Sequence, residues 1–172
     1  MVINFKNNLI KSLKKVDFYQ HQEYLLFQEE TERTYQNSDA LLETYTDIKW
    51  KIVKTINEIY SSRLLVPVVL ENWLHNINKE DEVSYFLNEV GSNVLSHSQF
   101  KAPSKFHLWF GHNGFIIGIE QKGTGFDAEK INSHKLKNNE GAAFEFFREC
   151  KSTVFFDNPT EARIVMIMML FD

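Results

Sequence analysis

Phe106-His107-Leu108-Trp109-Phe110-Gly111-His112-Asn113-Gly114-Phe115-Ile116-Ile117-Gly118-Ile119-Glu120-Gln121 is the stretch on which the fold turns. Phe106, Leu108 and Phe110 alternate with His107 and Trp109, the period of two that belongs to a strand. Asn113-Gly114 is the strongest short signal for a hairpin turn. With that pair in the turn, Phe110 faces Phe115, Leu108 faces Ile117 and Phe106 faces Ile119, so one side of the hairpin is apolar and calls for helices to cover it. Gln121 falls on that same side and Glu120 on the other.

Toward the C-terminus the spacing predicts a glycine-containing loop and a short helix from about Ala142 to Cys150. A last hairpin follows, Thr153–Phe156 and Ala162–Phe171 around Asp157-Asn158-Pro159. Toward the N-terminus a helix runs from about Lys79 to His97, with Glu80, Asp81 and Glu82 in a first turn that suits acidic side chains and Val83, Phe86, Leu87, Val90 and Val94 on its buried side. Val66, Val69, Leu70, Trp73, Leu74 and Ile77 predict another helix before it, with Pro67 in the first turn. Ser38 as N-cap and Leu41, Tyr45, Ile48, Ile52, Ile56 and Ile59 predict a long amphipathic helix. A poorer stripe, Ile10, Leu13, Asp17, Gln20, Tyr24 and Phe27, is also read as helical. Residues 1–62 are therefore expected to form a helical hairpin joined near Gln36–Ser38, and residues 63–172 an α+β sandwich of helices on one sheet. The apolar stripe of the long helix requires cover, either from a second copy in a homodimer or from the sheet itself.

Composition bounds the function. The chain has 172 residues, 43% hydrophobic, with a formal charge of -4, a balance that gives no argument for nucleic acid. One cysteine, Cys150, excludes an intramolecular disulfide framework and any metal site built from cysteines. No run of about 18 apolar residues marks a membrane span, and the start lacks a signal-peptide pattern, so a cytoplasmic protein is expected. His75, His107, His112 and His134 show no metal-ligand spacing.

Glu89, Asn93 and His97 recur every four residues, each displaced by about 40° around a helix, so they share one flank. Such a flank is often merely solvated; it also lets a carboxylate and a carboxamide share a metal-bound water. Gly123 and Gly125 follow directly off the strand that carries Gln121.

These residues are similar to a known family. Leu87–His97 resembles the asparagine box of the GHKL (Bergerat-fold) ATPases, E-x-x-x-N-x-x-x-H, matched at all three fixed positions. Ile116–Asp127 resembles their first glycine box, in the form found in anti-sigma-factor serine kinases and the histidine-kinase ATPase branch, with Gln121 where the family has an adenine-reading Asp. Glu140–Phe144 falls at the second glycine box, where Gly141 is retained and Ala143 stands in place of a glycine. The resemblance implies a two-layer sandwich of helices on a mixed, mostly antiparallel sheet. It implies a bacterial-type regulatory protein that binds ATP and Mg²⁺ weakly, with protein kinase activity if active. Glu89 would be the catalytic base, Asn93 the Mg²⁺ ligand, and Gln121, Gly123, Gly125 and Gly141 further nucleotide contacts. The implied partner is a sigma factor, an anti-anti-sigma protein or a response regulator. A helical hairpin ahead of such a domain also resembles sensor histidine kinases, which makes His21 a phosphoacceptor candidate. The alternative is a degenerate, non-catalytic interaction or phosphotransfer module acting as a dimer.

Overall fold

The computed structural model describes residues 3–26, 38–70, 81–97, 100–138 and 142–172. Asn8 opens the first helix, α1 (Leu9–Val16), its side chain accepting from the Lys11 amide at 2.9 Å. Asp17 closes it in the left-handed region, at φ 55°, its amide bonding back to Leu13 and Lys14.

From that stop the chain runs straight into a strand, β1 (Phe18–Leu25), which pairs antiparallel with β2 (Phe100–Gly111) in a register that sets His21 opposite Trp109 and Glu23 opposite His107. The expected helical hairpin is thus corrected: its first limb is a two-turn helix followed by an edge strand. The stripe from Ile10 to Tyr24 runs across two different elements, and its last residue, Phe27, lies outside the described residues. Nothing local demands a strand in Phe18–Leu25; the ladder with β2 supplies it.

The second limb is a helix as expected, α2 (Ser38–Ile59), and it folds back on the sheet. Tyr45, Ile48, Ile52, Val53 and Ile56 are buried in the same cluster as Phe106, Leu108, Phe110, Phe115, Ile117 and Ile119. The part of the stripe from Tyr45 to Ile56 therefore has its cover within the chain, while Ile59 is exposed. Residues 61–70 are not helical; Asn57 brackets Val68 with two hydrogen bonds, to its carbonyl at 3.0 Å and from its amide at 2.9 Å. Trp73, Leu74 and Ile77, the rest of the helix read there, lie outside the described residues.

Asp81 accepts from the Ser84 amide at 3.1 Å and so caps α3 (Glu82–His97), whose Val83, Phe86, Leu87 and Val90 are buried as the spacing predicts. The central hairpin of β2 and β3 (Gly114–Lys122) has the expected register, Phe110 with Phe115, Leu108 with Ile117 and Phe106 with Ile119. The two linking residues are His112 and Asn113, one position earlier than read. Their amides bond to the carbonyls of Asp17 and Val16 at the end of α1.

Asp127 then caps a helix that was expected to be loop, α4 (Ala128–Asn138), accepting from the Lys130 amide at 2.8 Å. The short helix α5 (Ala142–Glu149) and the closing hairpin of β4 (Thr153–Phe156) and β5 (Ile164–Leu170) match the reading. Buried Glu82 ties the start of α3 to the turn before β4, accepting from the amides of Lys151 and Ser152 and from the Ser152 hydroxyl.

The sheet order is β1-β2-β3-β5-β4, with every neighbouring pair antiparallel. The expected mixed sheet is corrected accordingly: the parallel pairing among the described residues is a bridge between Ile3 and Val154. Helices α2, α3 and α5 pack one face, and α1 covers part of the other, where Val16 meets Trp109, Ile116, Phe155, Met166 and Met168. No described helix is long and apolar enough to cross a membrane.

Candidate functional site

Two groups of polar residues stand apart from the core, one on each face of the sheet. The first is the set read from the sequence. Helix α3 lies on the face of β2 and β3 that carries Phe106, Leu108, Ile117 and Ile119, and presents Glu89 half-buried. No described residue bonds or pairs with the Glu89 carboxylate. Its neighbour Asn88 is bonded at both ends of its amide: it accepts from Lys49 Nζ at 2.7 Å and donates to the Ser84 carbonyl at 2.9 Å. Asn93 and His97 follow one and two turns along the same helix, their side chains outside the described residues.

At the end of β3, Gln121 is half-buried on the side facing the helices. Its Nε2 donates to the Ala162 carbonyl at 3.4 Å, a group that can only accept, and this fixes the amide's orientation and leaves Oε1 as an acceptor with no partner among the described residues. The loop that follows turns through Gly123 at φ 118° and Gly125 at φ 80°, conformations that side chains oppose, as expected of both positions. A Cβ on Gly125 would lie 2.9 Å from the Glu161 carbonyl oxygen, so the turn is also needed to bring Phe126 into its bridge with Ala162. Gly141 lies outside the described residues, and Ala143 is buried in the core at the start of α5.

The second group was not foreseen as a group. His21, expected on a helix, stands on β1 on the opposite face of the sheet from α3, so it does not join the first set. Its Nε2 lies 3.0 Å from Nδ1 of buried His107, and His107 Nε2 lies 2.7 Å from Glu120 Oε2. Glu23 Oε1 is 3.8 Å from His107 Nδ1, and Lys105 Nζ is 3.6 Å from Glu23 Oε2. Desolvation of the His21 ring, which lies against Trp109, and the charge of His107 hold its pKa below the usual histidine value, while Glu23 pulls the other way. The signal that a sequence reading had available was His21-Gln22-Glu23, a spacing of two that places both side chains on one face once the segment is a strand.

No protein-family model matches the chain, and neither the curated proteins nor the solved structures contain a match.

Proposed function

We propose that the chain is a regulatory nucleotide-binding protein of the anti-sigma and histidine-kinase ATPase type, holding Mg²⁺-ATP weakly through residues of α3 and of the loop between β3 and α4. The observation that carries this reading is the half-buried Glu89 carboxylate, which has no partner among the described residues, on a helix where its neighbour Asn88 is bonded to Lys49 and Ser84. A half-buried carboxylate in that setting suits a general base. Asn93 would offer Mg²⁺ the hard oxygen ligand it prefers. Gln121 Oε1 would accept from an adenine amino group, and the bare backbone at Gly123 and Gly125 would admit the nucleotide closely. Bound ATP would supply the transferable phosphoryl group. The partner class that goes with the reading is a regulatory protein, whether a sigma factor, an anti-anti-sigma protein or a response regulator.

Calorimetry with Mg²⁺-ATP tests it. Wild type should bind in the millimolar range or better, Asn93→Ala should lose binding, and Glu89→Ala should keep binding while losing any phosphoryl transfer. No heat and no thermal shift with wild type would retire the reading. One observation favours the second reading, a degenerate interaction or phosphotransfer module acting as a dimer: Ala143, standing where the resembling box has a glycine, is buried among core side chains. On that reading ATP gives no heat.

A further inference from the structure

Strand pleating places His21 and Glu23 of β1, Lys105, His107 and Trp109 of β2, and Glu120 of β3 on the sheet face away from α2 and α3. Trp109 belongs to the cluster that α1 covers, whereas His21 and Glu23, further along, are exposed. The rings of His21, His107 and Trp109 are nearly parallel, inclined by 7° to 14°, with centroids 4.8 to 5.2 Å apart. Gly118 makes room for the indole: a Cβ there would come within 2.8 Å of the Trp109 ring. The imidazoles are thus held edge to edge against a flat wall before any ligand arrives.

His107 is oriented from behind. The Glu120 carboxylate accepts from Nε2 at 2.7 Å, which keeps the proton on that nitrogen and leaves Nδ1 with its lone pair outward. That lone pair faces His21 Nε2 across 3.0 Å, with the Glu23 carboxylate alongside. Two imidazole nitrogens and a carboxylate oxygen therefore converge on one point, all within 4.8 Å of one another.

We propose that His21 Nε2, His107 Nδ1 and a carboxylate oxygen of Glu23 bind a divalent cation of the zinc type. Tetrahedral zinc, with ligands at about 2.0–2.1 Å, sets its ligand atoms roughly 3.4 Å apart. The observed nitrogens need to part by a few tenths of an ångström, and Glu23 needs to close by a similar amount on His107 and by up to about 1.4 Å on His21, a movement within the reach of an exposed side chain. Two imidazoles and one carboxylate suit zinc and its neighbours in the transition series; Mg²⁺ and Ca²⁺ favour oxygen ligands throughout. Three protein ligands leave a fourth tetrahedral position on the exposed side for water or a small anionic ligand. The ion displaces the proton shared by the two nitrogens, which His21 Nδ1 takes up, so both rings ligate as neutral imidazoles. It also fastens the edge strand β1 to β2. The site shares no residue with the nucleotide reading and stands or falls apart from it.

The test uses full-length protein stripped with a chelator and titrated with Co²⁺ and Zn²⁺. One equivalent of Co²⁺ should give the visible absorption of a four-coordinate ion, Zn²⁺ should displace it, and Zn²⁺ should raise the melting temperature by roughly a few degrees. His21→Ala and Glu23→Gln should abolish or strongly weaken binding; both residues are exposed, so neither change threatens the fold. Glu120→Gln should keep one equivalent but bind about 10- to 100-fold more weakly, as loss of a positioning carboxylate does. His134→Ala, on α4, and Asn93→Ala, on α3, should leave the titration unchanged. Absence of both the cobalt absorption and the zinc shift in wild type would overturn the proposal, as would binding that survives both His21→Ala and Glu23→Gln undiminished.

Discussion

The Tyr60 hydroxyl, just past the end of α2, is buried against the central hairpin. It donates to the Gly111 carbonyl at 2.9 Å and accepts from the Gly111 amide at 3.1 Å. Burial pushes its pKa up to about 12, against the opposing effect of the bond to Gly111. The folded chain therefore holds this proton more tightly than the unfolded chain, in which a tyrosine titrates near about 10. The stability this contributes is fully present below the unfolded value and is lost as pH rises through the folded one, so Tyr60 adds to alkaline denaturation. Tyr60→Phe leaves the Gly111 amide and carbonyl without that partner and should cost about 1–3 kcal/mol at neutral pH. In strong alkali the gap between variant and wild type should narrow. Urea denaturation at neutral and alkaline pH measures both, and equal stability of the two proteins at neutral pH would show that the hydroxyl contributes nothing.

At the scale of elements, α2 and α3 meet where Gly91 passes Tyr45, whose hydroxyl donates to the Leu87 carbonyl at 2.6 Å. A Cβ on Gly91 would lie 2.3 Å from that hydroxyl oxygen and 2.5 Å from the ring. Gly91→Ala should therefore force the helices apart, at about 1–3 kcal/mol by thermal denaturation. Paired with Tyr45→Leu, which removes the atoms it strikes, it should cost clearly less than the sum of the single changes; strict additivity would place the clash elsewhere. The sequence made this packing legible as far as the helical spacing of Tyr45, Ile48 and Ile52 goes, and it made the register of β2 with β3 legible because Phe106, Leu108 and Phe110 alternate around a short turn. It concealed β1, an edge strand with mostly exposed side chains whose pairing partner lies far along the chain. It concealed α4 as well, since Ala128–Asn138 has little apolar periodicity and only the Asp127 cap announces it. The His21–His107 pair was hidden for the first of these reasons: 86 residues separate the partners, and only the β1–β2 register joins them. Glu89, Gln121 and the two glycines were legible as residues, because a helix repeat and a strand end place them without any long-range pairing.

Across the whole molecule, the division into a 1–62 extension and a 63–172 domain meets a core that crosses it. Tyr45, Ile48, Ile52, Val53 and Ile56 of α2 lie in one buried cluster with the inner faces of β2, β3 and β5 and with Phe86, Phe146 and Phe156. Ile3 bridges to Val154 at one end of the sheet, while β1 forms the edge at the other. Removing residues 1–62 would expose the apolar face that α2 covers and leave β2 as a bare edge, a template for aggregation. Full-length protein should accordingly unfold in a single cooperative transition, with fluorescence and far-ultraviolet circular dichroism coinciding. A chain beginning at residue 63 should be insoluble or lack a cooperative transition. Each buried aliphatic side chain lost from α2 is worth roughly 1.5–3 kcal/mol of transfer free energy, so losing Ile48, Ile52, Val53 and Ile56 together removes about as much as the net stability of an ordinary domain. Point changes make the same case without truncation: Ile52→Ala, at a fully buried position, should cost about 2–5 kcal/mol and shift both probes together. If the shortened chain instead melts cooperatively at the wild-type temperature, α2 is a dispensable cover and the boundary at residue 62 is a true domain boundary.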